Sequence, residues 1–168
     1  GLALEKANAD LNGKVEIGGS HIAPFANFPN ISIDLEHLKI YESKADSAAC
    51  LVHLKDTYLG FDLSELISGN VVVKKIKLSD GVIDIRQHRD GSFNVANALA
   101  SKVPSDEVSE DLHLSLESIE LDHVDISKLN ESTHLAVDLL IKKAKSSFHS
   151  NKKGIDFKLD SDQTLSII

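Results

Sequence analysis

The stretch that decides the fold runs from Leu63 to Leu99 and reads LSELISGNVVVKKIKLSDGVIDIRQHRDGSFNVANAL. Within it, two runs rich in Val, Ile and Leu, 71–78 and 82–86, are separated by Asp80-Gly81. Asp-Gly between two β-rich runs is the strongest short-range signal for a β-hairpin. The sequence therefore predicts a hairpin with a tight turn at these two residues.

Short helices are predicted on both sides of the hairpin. Asp62 or Ser64 suits the N-cap of a helical turn over 63–67, because either side chain can accept from free backbone amides. After the hairpin, the Asn94 side chain is expected to cap a helix over 95–102 in the same way. Glycine favours the left-handed backbone that ends a helix or closes a tight turn. The predicted structural turn residues are Gly69, Asp80, Gly81, Asp90, Gly91 and Asn94.

The rest of the chain is dominated by alternating apolar and polar residues. The spacing predicts an N-terminal helix over 2–11, whereas two prolines predict irregular structure over 22–29. Two consecutive polar residues, Glu36 and His37, interrupt the alternation and predict a bulge that bends the strand. Further strands are predicted at 14–17, 30–41, 49–61, 112–126, 134–148 and 154–159, with the start of one more at 165–168.

Length and pattern predict a single domain of the α+β class that is mainly β. We expect a curved, mostly antiparallel sheet with a few short helices, and an elongated β-groove is one form that such a sheet takes. Residues 1–102 would hold the N-terminal helix, several strands and the central hairpin. Residues 103–111 would form an acidic loop, and 112–168 a second set of strands.

Similar short patterns occur in both parts of the chain. IKLSDGVIDI at 76–85 aligns with IELDHVDI at 119–126, with two fewer residues in the turn region. Asp122-His123 is a plausible tight turn in the second pattern, because Asp tolerates left-handed backbone. An internal repeat would indicate an elongated architecture built from similar units, and chance recurrence of a β pattern is the alternative.

The chain is acidic, with a formal net charge of −8 and a pI near 5.4. This balance argues against nucleic acid as a partner, because nucleic-acid binding depends on Lys and Arg that neutralise phosphates. It also disfavours broad adsorption to anionic membrane surfaces. Local lysine clusters are interpreted as solvated strand edges and turns, where lysine discourages pairing between sheet edges. The clusters are Lys74-Lys75-Lys77, Lys142-Lys143-Lys145 and Lys152-Lys153.

Residue chemistry alone indicates no catalytic site, metal site or cofactor. The eight histidines are scattered without metal-ligand spacing and are interpreted as surface strand residues. Asp160 and Asp162 resemble the start of a calcium loop, but the Gly and the closing Glu of such a loop are missing. Cys50, the only cysteine, is expected to be a buried small apolar side chain. No apolar run in these residues is long enough to predict a membrane helix.

The central stretch resembles the repeated core of AsmA-family proteins of bacterial envelopes. In that core a short helix leads to a strand, a hairpin turn, a second strand and a D-G-x-x-N turn, and residues 65–99 follow this order. The stretch FPNISIDLEHLKIYES at 28–43 resembles the same family. The N-terminal order of helix, Gly, strand and Gly-Gly is also similar to it. The resemblance covers 2–99 well and 112–146 loosely.

The resemblance implies a non-enzymatic domain of an inner-membrane-anchored periplasmic protein involved in outer-membrane biogenesis. It implies phospholipid handling in an apolar β-groove, with membrane attachment through a segment outside these residues. Two alternatives stay open: a structural or protein-binding module that pairs through an exposed strand edge, and a hydrolase whose site the spacing does not reveal. The expected lipid-contact residues are Val71, Val73, Ile76, Leu78, Val82, Ile83 and Ile85.

Overall fold

Eight strands and three short helices make up the part of the chain that the computed structural model describes. The helices are α1 (Leu2–Asp10), α2 (Leu63–Ile67) and α3 (Asn94–Leu99). The strands are β1 (Lys14–Glu16), β2 (Gly19–Asn27), β3 (Asn30–Tyr41), β4 (Cys50–Asp62), β5 (Val72–Gln87), β6 (His113–Asn130), β7 (Leu135–Asn151) and β8 (Gly154–Ile167). The described residues are 2–27, 30–69, 72–100, 113–151 and 154–167.

These strands belong to one curved, open sheet with the order β1-β3-β4-β5-β6-β7-β8, and β2 pairs with another part of β3. Neighbouring strands are antiparallel except for β5 and β6, which are parallel. A parallel pair requires a crossover connection, and α3 belongs to that connection. The predicted class, a mainly β and mostly antiparallel sheet with a few short helices, is confirmed.

The hydrophobic core lies on one face of the sheet, under α3. Half-buried Leu and Ile side chains of β3, β5 and β6 pack against the buried residues, as do one Val of β1 and one of α3. Side chains alternate between the two faces along a strand, so the intervening polar residues lie on the opposite face. We call the two sides the apolar face and the polar face. The buried core residues are Ile40, Leu51, Val52, Leu54, Ala98 and Val124.

The predicted hairpin at Asp80 and Gly81 is wrong, because β5 runs through both residues without reversing. A type I′ turn needs positive φ at both central residues, and here only Asp80 has it, with φ 52°. Ser79 pairs with Asp56 and Gly81 pairs with Leu54, so the register with β4 continues across the site. The neighbouring strands therefore keep the chain extended where the local sequence favours a turn.

The two similar patterns at 76–85 and 119–126 lie side by side as parallel strands. Ile76 pairs with Ile119 and Ile83 pairs with Ile126, so the patterns align without the gap that the sequence comparison assumed. The predicted turn at Asp122-His123 is also wrong, since β6 is continuous through it. The similarity reflects two adjacent strands of one sheet, not two successive hairpins.

A row of paired polar residues crosses the middle of the sheet from β3 to β7. In each of these strands, two polar residues instead of one stand between successive apolar-face residues, as they do between Leu35 and Leu38. Positive φ occurs in the row on β3, β5 and β6, where the residue is His or Asp, types that are enriched among non-glycine residues of this conformation. The polar row consists of Glu36-His37, Lys55-Asp56, Ser79-Asp80, Asp122-His123 and Lys142-Lys143.

The polar row explains the phase change seen in the sequence at Glu36 and His37, but it is not the predicted bulge. A bulge would place an extra residue in one strand only. Here β4 also has an extra residue, Lys55, opposite His37 of β3, so the register between the two strands is unbroken at this point. Because the strands change phase together, their apolar residues stay on one face on both sides of the row. On β8 the change is absent, and its register with β7 shifts between Ile141 and Lys143.

Two predictions near the ends of the sheet are also wrong. Residues 22–27, predicted to be irregular, belong to β2, and Pro24 is tolerated because β2 pairs with β3 alone and its register shifts between Ala23 and Asn27. Residues 165–167 continue β8 and do not begin another strand. The acidic loop predicted at 103–111 lies outside the described residues.

Most of the other predicted turn residues behave as expected. Gly69 and Gly91 have left-handed backbone, with φ of 89° and 87°. Asp62 caps α2, and its Oδ1 accepts from the amide two residues on at 2.9 Å. Asp90 makes the same contact in its own turn, also at 2.9 Å. These local predictions are confirmed because they depend on near neighbours in the chain.

Asn94 is not the N-cap residue of α3, contrary to the prediction, because Phe93 holds that position and Asn94 is the first helical residue. Its buried Oδ1 nevertheless accepts from one free helical amide, the Val95 N–H, at 2.8 Å. Its Oδ1 accepts from the backbone N–H of Arg86 at 2.8 Å, and its Nδ2 donates to the backbone carbonyl of Asp84 at 3.0 Å. Pairing between β4 and β5 stops at Ile83. The Asn94 amide therefore takes the place of the missing strand, and α3 ends at Leu99 rather than residue 102.

Candidate functional site

The polar row divides the apolar face into two halves. On one half, Val95 and Ala98 of α3 pack on the core. On the half that leads towards α2, no helix of the described residues packs on the sheet. We call this second half the trough. Its lining consists of Ile33, Leu35, Thr57, Leu59, Ile76, Leu78, Ile119 and Leu121.

The trough is an open apolar patch that spans four strands. Its apolar side chains are half-buried without a covering helix, because neighbours on the curved sheet shield one another. Four strands at about 4.8 Å spacing give a width of about 14 Å, and the three residues from Thr57 to Leu59 of β4 at about 3.3 Å each give a length of about 10 Å along the strands.

Five of the predicted lipid-contact residues lie on the apolar face, but the structure divides them between its halves. Ile76 and Leu78 line the trough. Val73 is buried beyond them, towards α2. Ile83 and Ile85 lie across the polar row, on the half that carries α3. Only the first three are therefore placed in or beside the trough.

Val82 does not belong with the other predicted residues. It lies on the polar face, 48% exposed, between His53 and Asp125 of the neighbouring strands. Strict alternation counted from Leu78 would place Val82 on the apolar face and Ile83 on the polar face. The extra polar residue in the polar row shifts the alternation by one, so each of the two side chains lies on the other face. Val71 lies outside the described residues.

Several lining residues come from strands that the sequence did not connect to β5. Ile33 of β3, Leu59 of β4 and Ile119 of β6 share one row of the sheet with Ile76. Their alternation was visible in the sequence, but alternation does not say which strands are neighbours. The sequence did not show the order in which the strands pair in the sheet.

The two ends of the trough differ. Beyond the polar row, α3 is joined to the segment after α1, because the Gly13 N–H donates to the carbonyl of Ala98 at 2.8 Å. Gly13 is required there, since a Cβ would collide with the Tyr41 carbonyl and lie 2.9 Å from the Ala98 Cβ. At the opposite end, Ile67 of α2 is 79% exposed. An occupant would therefore meet the polar row at one end, with α3 beyond it, and an exposed apolar residue at the other.

The described residues offer little for catalysis or metal binding. They contain no group of three or more His, Cys, Asp and Glu side chains that could hold a metal ion. Cys50 is exposed, contrary to the prediction, because it begins β4 at the end of the sheet, where its thiol donates to the Val52 carbonyl at 3.3 Å. Asp160 and Asp162 are exposed residues of a regular strand, not of a calcium loop. The exposed histidines are His21, His37, His53, His123 and His134.

The lysine clusters are not at strand edges, contrary to the interpretation drawn from the sequence. Lys75 and Lys77 lie on β5, which has β4 on one side and β6 on the other. Lys143 and Lys145 lie on β7, between β6 and β8. Protection of an open edge therefore does not explain why these lysines are there. The pair Lys152-Lys153 lies outside the described residues.

No family model matches this chain, and no curated protein matches it. Within the described ranges, none of the helices has the length and apolar character needed to cross a membrane.

Proposed function

We propose that this chain is a non-enzymatic domain that holds phospholipid acyl chains in the trough. We further propose that it belongs to an inner-membrane-anchored periplasmic protein of the AsmA type, which serves outer-membrane biogenesis. The observation that carries the proposal is an apolar sheet face that continues across the polar row and lacks a helix over one half of the described structure. The resemblance of residues 65–99 to the AsmA core supports the cellular setting.

The physical argument is that an open apolar surface gains free energy from an apolar occupant. Burial of apolar surface contributes about 25 cal/mol per Å². Ile76, Leu59 and Ile119 lie in one row across three strands, so a hydrocarbon chain laid across these strands would contact several side chains at once. The site contains no buried charge to fix one head group, which favours recognition by shape and apolar area.

Two residues of β5 provide a matched test of the proposal. Ile76→Asp places a carboxylate in the trough, whereas Val82→Asp places the same group on the exposed polar face. We expect Ile76→Asp to reduce lipid occupancy about tenfold or more, because an apolar site disfavours a charge. Native mass spectrometry after incubation with phosphatidylethanolamine and phosphatidylglycerol vesicles measures the occupancy, and circular dichroism checks that both variants fold.

The outcome separates the trough from other surfaces. Phospholipid bound to the wild type and to Val82→Asp, but lost from folded Ile76→Asp, supports the proposal. Equal binding by both variants, or no phospholipid on the wild type, contradicts it. Because Ile76 is half-buried and Val82 is 48% exposed, only an Ile76→Asp variant shown to be folded by circular dichroism separates loss of the trough from loss of stability.

A second candidate function, pairing with a protein strand, rests on the outer edge of β8. Among the described strands, β8 pairs with β7 only, and it extends for 14 residues. Leu165 and Ile167 are 57% and 66% exposed beside that edge. An extended peptide could add to such an edge through backbone hydrogen bonds. Binding of a partner by β8 with an unoccupied trough would favour this second function.

A further inference from the structure

One polar side chain lies among the apolar side chains of the trough. Thr57 of β4 pairs with Leu35 of β3 on one side and with Leu78 of β5 on the other. Along β4, its nearest neighbours on the apolar face are Leu54 and Leu59. Among the trough residues, all of which belong to the described part of the chain, Thr57 alone carries a polar side-chain atom. A hydroxyl group is therefore bordered by four leucines.

The Thr57 hydroxyl is buried without a hydrogen bond. The residue is only 4% exposed, and its Oγ1 atom has no partner within the described part of the chain. Burial of a hydroxyl without a partner destabilises a protein, whereas valine has nearly the same shape and avoids this cost. Such a group calls for an explanation. Packing of the sheet does not supply one, because it would be served at least as well by valine.

The hydroxyl can turn towards the trough without breaking a hydrogen bond. Thr57 belongs to the apolar face, so its side chain leaves the backbone on the trough side of the sheet. Rotation about the Cα–Cβ bond between staggered rotamers exchanges the positions of Oγ1 and the methyl group. Since Oγ1 has no partner where it lies, the rotation loses no hydrogen bond. A ligand in the trough therefore has a free hydrogen-bond donor beneath it.

Thr57 lies at the polar end of the trough. The preceding residue of β4, Asp56, belongs to the polar row, whereas Leu59 and Ile76 continue the apolar surface in the opposite direction. In a phospholipid, the ester carbonyls lie between the acyl chains and the polar head group. An acyl chain laid over Leu59 and Ile76 can therefore bring its ester carbonyl to Thr57.

We propose that Thr57 donates a hydrogen bond from its hydroxyl to the ester carbonyl of an acyl chain held in the trough. This hydrogen bond makes Thr57 a specificity-determining residue, because it favours an acyl ester over a hydrocarbon chain that has no carbonyl. It also fixes the polar end of the chain beside the polar row. The inference rests on the proposed function and adds to it the chemical group that the trough recognises.

Competition between two lipids that differ only in the linkage of their chains tests the role of Thr57. The protein is incubated with vesicles of equal parts diester and diether phosphatidylglycerol of the same chain length, and native mass spectrometry measures the ratio of the bound lipids. We expect the wild type to prefer the diester about fivefold, which corresponds to one hydrogen bond. In Thr57→Val the ratio should fall to about one, because the donor is removed.

Two further variants control for changes other than loss of the donor. Thr57→Ser keeps a hydroxyl at this position and should retain the preference for the diester. Thr164 is an exposed residue of β8 opposite Leu140, outside the trough, so Thr164→Val should keep the wild-type ratio.

Chemical denaturation tests the state of the hydroxyl without any lipid. Because Oγ1 has no partner to lose, Thr57→Val should unfold at the same denaturant concentration as the wild type or at a higher one. A clearly lower midpoint would show that the hydroxyl is bound within the protein and would overturn the proposal.

The lipid ratios separate this inference from the proposed function. A diester preference that is lost in Thr57→Val supports both. Equal binding of the two lipids by the wild type would overturn the role of Thr57 and leave acyl-chain binding intact. A preference that persists in Thr57→Val would assign the carbonyl to another residue and overturn the proposal. Binding of neither lipid would contradict the proposed function and this inference with it.

Discussion

Single residues of β5 decide whether the chain turns or continues. Asp80 adopts left-handed backbone with φ 52°, at a strain cost of about 1 kcal/mol that Asp and His bear more easily than other side chains. The next residue is glycine for a steric reason, not for a turn. A Cβ at Gly81 would collide with the backbone carbonyl of His53 and lie 2.8 Å from the Leu54 Cα. Close approach of β4 therefore requires glycine at this point.

Gly81→Ala should destabilise the protein by about 3 kcal/mol, because the atoms that the new methyl group meets belong to the backbone of β4 and cannot rotate away. Chemical denaturation measures the free energy of unfolding. Ser79→Ala, two residues earlier on the same strand, adds no Cβ and serves as the control. A loss below about 0.5 kcal/mol for Gly81→Ala would show that β4 does not approach so closely.

At the level of secondary-structure elements, a helix residue completes a strand. The Asn94 amide satisfies one N–H and one carbonyl of β5 beyond the last pair with β4, and it is only 2% exposed. This contact fixes α3 on the end of β5 and so places Ala98 over the core. The helix that closes one half of the apolar face is therefore positioned by a side chain-to-backbone clamp.

Asn94→Asp separates this clamp from the helix cap that the sequence predicted. At an N-cap, Asp and Asn are about equal, so a cap predicts little change. The clamp predicts a loss of about 2 kcal/mol, because Asp cannot donate to the Asp84 carbonyl and brings a carboxylate to a buried site. Thermal or chemical unfolding of Asn94→Asp and Asn94→Ala measures the cost. A fully stable Asn94→Asp would favour the cap.

The whole sheet is held in part by charges that cross three strands on the polar face. Glu120 links β6 to both neighbours through Lys75 and Lys145. Its burial opposes ionisation, but the lysine contacts outweigh burial and lower its pKa. A carboxylate with a lowered pKa in the folded state stabilises the fold above the pKa of the unfolded chain, about 4.3 for Glu. This contribution is lost as the pH falls through the folded value.

Glu120→Gln should therefore remove part of the pH dependence of stability. We expect the wild type to exceed the variant by up to about 1 kcal/mol near neutral pH, with the difference shrinking below about pH 4.3. Other carboxylates with lowered pKa, such as Asp62, titrate in both proteins and cancel in the comparison. Denaturation curves from pH 3 to pH 7 measure the difference in the free energy of unfolding. A difference that does not shrink towards low pH would contradict the contribution of the ion pairs.

Much of the fold could be predicted from local pattern. Alternation located most of the strands, and the Asp62 cap and the left-handed Gly69 depend on neighbours only a few residues away. The same alternation predicted that the protein is mainly β and that its strands carry apolar side chains on one face. They could not assign strand neighbours, and the trough needs β3, β4, β5 and β6 in a fixed register.

The sequence by itself determined the composition of each strand, the short helices and the polar pairs that interrupt the alternation. Only the tertiary structure decided that β5 continues through Asp80-Gly81 without a turn, because β4 and β6 pair with β5 both before and after these two residues. It also decided that Ile76 and Val82 lie on opposite faces, and that lysines far apart in sequence meet around Glu120. The physical reason is that strand pairing is a long-range interaction, which outweighs local turn preference and sets which side chains become neighbours.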